Sequence, residues 1–287
     1  MITATLNSET DFNGWRQAAR KLAGHAIEPG QIEWRTPEST PSLFSHDRTL
    51  VSIEQDPLQQ AQITVPREFL RLACRVAHHR DHERFSRLYR LLMRLQLAPK
   101  LLKNQAASDV RWLFKCEKEI RRDVHKMHAF VRFRKLGERE DGREQYAAWF
   151  EPSHRILELG APFFKNRFPN MDWAIATPDG TAVWDGAELR YLQAGDVRDV
   201  PDHDEIEEQW KTYYASIFNP ARLKVSAMLS EMPKKYWKNL PEARLIPELI
   251  TSATNRSNDM LDRAPGPANK LAGHLEKIRS RSDSNST

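Results

Sequence analysis

Apolar side chains in the first third of the chain recur at helical spacing. Phe12, Trp15, Ala18, Ala19 and Leu22 share one face of "DFNGWRQAARKLAGH" (11–25), with Asp11 placed to cap it. "QIEWR" (31–35) and "AQITV" (61–65) read as short strands, the second ending at Pro66, which suits the first turn of a helix. Residues 66–97 predict two helices separated by "HHRDHER". One turns Phe69, Leu70, Ala73 and Val76 inward; the other turns Phe85, Leu88, Tyr89, Leu92 and Leu95 inward. Arg84, Arg87, Arg90 and Arg94 step along the second helix beside its apolar face. A further helix is predicted over about 106–127, with Val110, Leu113, Phe114, Glu117 and Ile120 as a partial inward face.

The period then drops to two. In "AFVRFRK" (129–135), Phe130, Arg132 and Arg134 fall on one strand face, while Val131 and Phe133 take the other and anchor it inside. The polar "LGEREDGRE" turns this strand into "QYAAWFE" (145–151). Pro152 and Ser153 open a helix, "HRILELGAPFFKNRF", which Gly160 and Pro162 can break or kink. "DWAIAT" (172–177), "TAVW" (181–184) and "ELRYL" (188–192) form a meander turned at Pro178-Asp179-Gly180 and Asp185-Gly186.

The order strand, strand, helix, strand, strand, strand predicts the α+β class. The expected core is a roughly five-stranded antiparallel sheet, about 129–192, with a packed helix and flanking N-terminal and C-terminal helical segments. Further helices are expected at about 205–217 and after Asn219-Pro220, punctuated by Pro233 and Pro241. Residues 1–253 are read as one compact domain, able to include a helical subdomain over 1–127, and 254–287 as a polar, disordered tail.

Charge sharpens this outline. The net +5 conceals a block at 66–135 with 19 basic and 7 acidic residues, beside one at 136–215 with 8 basic and 17 acidic residues. Such a basic block attracts a polyanion, unless the two blocks neutralise each other by packing. A composition 40% hydrophobic and 29% charged is that of a globular protein. No apolar run reaches the ~18 residues of a membrane span. The first residues show no secretory pattern, and Cys74 and Cys116 are too few for a disulfide framework. A cytoplasmic protein without a membrane partner is expected.

Several segments carry candidate chemistry. The strand with Phe130, Arg132 and Arg134, behind Arg121, Arg122 and Lys126, has the ring-plus-cation character of a nucleic-acid surface. The alternative pairs Arg132 and Arg134 with Glu151 or Glu144 on the next strand. "MPKKYWKNLPEA" interleaves Lys234, Lys235 and Lys238 with Tyr236 and Trp237; the alternative is an amphipathic turn with both rings in the core and the lysines solvated. Arg222 and Lys224 add cations nearby in sequence. His78, His79 and His82 read as a solvated helix end, since no adjacent cysteine completes a metal set; neither metal nor cofactor is expected. There is no Walker loop, GxGxxG, nucleophile elbow or HExxH, and no CxxxCxxC for an iron–sulfur centre.

"HKMHAFVRFRK", "YAAWFEPSHRILELGAPFFKNRF", "MDWAIATPDGTAVWDG", "WKTYYASIFNPARLKVSAM" and "EMPKKYWKNLPEARLIPELI" resemble a bacterial DNA-metabolism and DNA-repair family. The resemblance extends over roughly 12–253. It implies a neighbouring gene for a radical-SAM DNA-modification protein. In some members of that family the same region is fused to a C-terminal uracil-DNA-glycosylase-like domain. Where a glycosylase would begin, this sequence has a short polar tail, so uracil excision by this chain alone is not expected.

The expected function is a DNA-binding accessory protein of a repair or modification pathway, acting with a radical-SAM partner and with a separate glycosylase-like protein as a further candidate. The alternative is an enzyme acting on a nucleobase lesion, with His125, His128, Glu151 and His154 as its candidate catalytic groups. A third reading has the acidic region 196–208 docking a basic partner.

Overall fold

The computed structural model describes residues 1–39, 48–49, 63–196, 200, 232–240, 243 and 245. The strand residues 61–62, the acidic stretch 201–208, the helix at 205–217, Arg222, Lys224 and the tail 254–287 lie outside the described residues. The chain divides into two units, 1–204 and 205–287.

The first unit begins with β1 (Ile2–Thr5), α1 (Phe12–Gly24), β2 (Ile32–Arg35) and β3 (Arg48–Thr49). Asp11 caps α1 as expected, its carboxylate accepting the Gly14 N–H at 2.7 Å. β1 pairs in parallel with β2 on one side and β3 on the other. Residues 63–65, expected to be strand, have no regular structure.

Next come α2 (Arg67–Val76), α3 (Arg84–Leu97) and α4 (Ser108–Phe130). Their apolar faces meet α1 in a core containing Trp15, Leu22, Phe69, Leu88, Tyr89, Val110, Leu113 and Cys116. Buried polar tips find partners here: Trp15 Nε1 donates to Phe85 O at 3.2 Å and Tyr89 Oη to Ile27 O at 2.7 Å.

The second layer is the expected five-stranded sheet, in the order β4-β5-β6-β7-β8. Its strands are β4 (Arg134–Glu138), β5 (Glu144–Trp149), β6 (Asp172–Thr177), β7 (Gly180–Trp184) and β8 (Leu189–Leu192). α5 (Leu157–Arg167) links β5 to β6 and keeps Pro162 within its span. The α+β class holds, but the sheet is mixed, because β5 and β6 run parallel. The helix between them explains this: a strand returning after a crossover helix re-enters the sheet in the same direction. The other three pairings are antiparallel.

The two meander turns differ in mechanism. Gly186 has φ +89°, the left-handed conformation that glycine accepts cheaply. At the other turn the Thr177 hydroxyl accepts from the Asp179 and Gly180 N–H groups and donates to Gly180 O. Phe133, Phe164, Phe168 and Trp173 form an aromatic cluster between α5 and the sheet.

One correction bears on function. The strand expected from residue 129 begins at Arg134, because α4 continues to Phe130 and the Val131 N–H still bonds Met127 O at 3.0 Å. Phe130 therefore does not share a strand face with Arg132 and Arg134. The anchoring half of the reading holds: Val131 is buried and Phe133 enters the aromatic cluster. Among the described residues no helix is long and apolar enough to cross a membrane.

In the second unit, the described residues include a 3₁₀ helix, Lys234–Asn239. Tyr236 is buried and Trp237 half-buried, with Lys234 and Lys235 exposed. This is the amphipathic arrangement, so the Tyr236 ring is not an exposed stacking face.

Candidate nucleic-acid interface

The cations of the basic block divide into two classes. On α3 they are largely consumed by the protein's own acceptors. Arg84 is buried and bonds Ala77 O, Asp81 O and both the backbone and carboxylate of Glu9. Arg87 pairs with Glu83 at 2.8 Å and Arg94 with Asp109 at 2.5 Å. Internal matching thus accounts for most of the α3 stripe.

α4 is different. Arg111, Lys115, Lys118, Arg122 and His125 are all exposed and follow one another at steps of four, three, four and three residues. At 100° per residue they occupy one narrow stripe, about 21 Å long. Lys115 approaches Glu119 only to 4.0 Å. Arg111, Lys118 and Arg122 make no ion pair among the described residues. The opposite face carries Val110, Leu113, Cys116 and Ile120 into the interior, which fixes the cations outward.

Beside the stripe lies a groove of about 430 Å³ lined by Gln105, Arg111, Phe114, Glu117, Lys118 and Arg121. Phe114 packs against the helical core from its other side. Glu117 is engaged by Arg75 of α2 at 2.7 Å and approached by Arg121 at 4.0 Å, so its charge is compensated. Arg111 Nη2 donates to Ala106 O at 3.1 Å, which steadies the guanidinium at the groove mouth.

The expected binding residues scatter about this frame. Arg122 lies on the stripe and Arg121 in the groove. Lys126 is buried, its ammonium 5.7 Å from the Phe130 ring, because position 126 turns to the inner side of α4. Arg132 donates to Ala129 O at 2.8 Å and Arg134 opens β4. The expected acceptor Glu144 is bonded by Lys135 at 2.8 Å and by Tyr146. Lys234 and Lys235 belong to the other unit, where Lys235 lies over Tyr236; the Lys238 side chain is outside what the structure describes.

The candidate catalytic groups occupy separate settings. His125 is exposed on the stripe. His128 donates to Gly160 O at 3.2 Å and stacks on the exposed Phe163; burial and the His125 charge lower its pKa. Glu151 accepts from Trp149 Nε1 at 2.9 Å. His154 stacks on His79 at 4.2 Å, and its backbone N–H donates to Asp123 at 2.8 Å.

The turn after α2, read from sequence as a solvated helix end, is instead a polar clasp. His78 is buried and donates to Arg155 O at 2.8 Å; burial lowers its pKa. His79 Nε2, Cys116 Sγ and a Glu119 oxygen lie within 4.8 Å of one another, a nitrogen, sulfur and oxygen set that sequence distance conceals. Yet His79 Nδ1 accepts the Asp81 N–H at 3.0 Å, which leaves the proton on Nε2, donated to Glu119 at 3.0 Å. Burial, helped by the Glu119 and Asp81 charges, pushes the Cys116 thiol up to about 12, the reverse of what a nucleophile requires. As arranged, His79 ties the turn after α2 to α4 through its bond to Glu119.

The cations Arg111, Lys115 and Lys118 are absent from the set chosen by sequence. Their signal was the four-three-four-three spacing within a helix already predicted over that range.

The family described as "Domain of unknown function (DUF4130)" matches residues 82–242, which contain α3, α4, α5 and the whole five-stranded sheet. No curated protein and no solved structure matches the chain.

Proposed function

The chain belongs to this domain family of unknown function, DUF4130, and from the residues of that domain we propose that it is a DNA-binding protein of a repair or modification pathway. The observation that carries the reading is the α4 stripe, whose cations are held outward while Arg84, Arg87 and Arg94 of α3 are paired with the protein's own carboxylates. A strand laid along α4 meets Arg111, Lys115, Lys118 and Arg122 over about 16 Å, roughly five phosphate steps of one strand. Each phosphate neutralised releases counterions, so binding by this surface weakens as salt rises. The family resemblance adds a radical-SAM protein, and a separate uracil-DNA-glycosylase-like protein, as partners on the same DNA.

Fluorescence anisotropy of the full chain with labelled duplex and single-stranded oligonucleotides, over a salt series, tests this. Four phosphate contacts give a slope of log K against log salt of about −3.6 on duplex or about −2.8 on a single strand. Replacing Lys115 and Arg122 with alanine makes the duplex slope shallower by about 1.8. Salt-insensitive binding, no binding, or an unchanged slope in that variant overturns the proposal.

A further inference from the structure

The stripe has no means of distinguishing paired from unpaired DNA, but the groove beside it does. We propose that the groove lined by Gln105, Arg111, Phe114, Glu117, Lys118 and Arg121 takes one unpaired nucleotide of a strand lying on α4, with its base against Phe114. This rests on the DNA-binding reading and adds the form of DNA recognised.

Three features favour a nucleotide. The volume, about 430 Å³, falls in the range of small-molecule sites, of which a single nucleotide is typical. Phe114 is packed from behind by the helical core, so it presents a fixed ring, and any base has a face to lay on it. Gln105 is exposed at the rim with both a donor and an acceptor, the pair that an unpaired base edge satisfies.

The charge pattern selects the same ligand. Arg111, Lys118 and Arg121 supply three cations to the phosphates flanking the base. The one carboxylate, Glu117, is bonded to Arg75, which leaves the rim net positive. Arg111 and Lys118 belong to both stripe and groove, so the backbone need not leave the stripe for a base to turn in. A base inside a duplex is stacked on its neighbours and hidden from such a pocket, so the strand must offer it single-stranded, at a gap or flipped out.

The test compares three probes at one salt concentration: a single strand carrying 2-aminopurine, the same strand with abasic sites, and a blunt duplex. For wild type, the 2-aminopurine emission should rise as the base leaves its stacked neighbours for the groove, and the abasic strand should bind about tenfold more weakly than the intact one. Phe114→Leu should remove that rise and weaken intact single-strand binding about tenfold, with duplex binding unchanged. Gln105→Ala alters no charge and sits on an exposed loop, so it carries the test if Phe114→Leu does not fold. It should weaken single-strand binding about fivefold and leave duplex binding alone. Equal affinity for intact and abasic strands, or single-strand binding unaffected by the substitution, overturns the groove proposal while the stripe reading stands. Failure to bind any probe overturns both.

Discussion

Arg84→Met removes a guanidinium that is 2% exposed and joins Glu9 to the turn at 77–81. Its Nε donates to Ala77 O at 3.0 Å, Nη1 to Asp81 O at 3.1 Å, and Nη2 to Glu9 O and to the Glu9 carboxylate at 2.9 Å. Methionine keeps much of the volume and the contact with the Phe85 ring, now 4.5 Å below the guanidinium. It strands two carbonyls, Ala77 O and Glu9 O, and removes one bond to the Glu9 carboxylate, each worth about 1 kcal/mol, while Asp81 O still accepts the backbone N–H of residue 84 at 3.1 Å. The Glu9 carboxylate is not left bare, because it retains the Glu38 N–H at 3.0 Å and Arg155 at 3.5 Å. The expected loss is therefore about 3 kcal/mol, at the low end of what breaking a buried ion pair costs. For a unit of about 200 residues this lowers Tm by roughly 6–12 °C. Urea unfolding followed by tryptophan emission measures it, since Trp15 donates to the backbone of Phe85, the neighbouring residue. A loss under about 1 kcal/mol, with an unchanged m-value, would refute the view that Arg84 organises the 77–83 turn.

Two further outcomes follow from the same interior. Burial alone would raise the Glu9 carboxyl, but hydrogen bonds from Thr36, the Glu38 N–H and Arg84, with the Arg155 charge, hold it below the ordinary 4.5. Its contribution is therefore present in full above pH 4.5 and is lost as pH falls through the lowered folded value. The stability gap between wild type and Glu9→Gln should close on acidification; a gap constant from pH 7 to pH 3 in urea titrations would contradict this. Cys116, 2% exposed with its thiol pushed up to about 12, should resist iodoacetamide at pH 8 in the native chain and react only after unfolding. Mass-spectrometric labelling at native rates near those of a free thiol would show the burial to be wrong.

What could be read from sequence follows the range of the forces involved. The five α-helices and strands β5 to β8 announce themselves through local periodicity and turn residues, and all lie near their expected positions. β1 went unseen because "ITAT" is four residues long and gains its meaning only from Ile32 and Arg48, its distant partners. The parallel β5–β6 pairing was implicit in the intervening helix. Phe130 was misplaced because strand parity was extended backwards through residues still bonded as helix. The clasp of His79, Cys116 and Glu119 and the burial of Arg84 are tertiary events, invisible to spacing. The α4 stripe is the opposite case, a purely local pattern legible from the spacing of Arg111, Lys115, Lys118 and Arg122 alone.

α4 is long enough to belong to two hydrophobic neighbourhoods at once. Near its start Val110 and Leu113 enter the helical core; near its end Met127 meets Gly160 of α5 so closely that a Cβ there would require the Met127 thioether to shift. The helix is thus a common beam, and its solvent side runs past both supports. A polymer gripping that side would brace the two neighbourhoods against separation, so load on the bound strand would be shared by the whole first unit rather than borne by one loop.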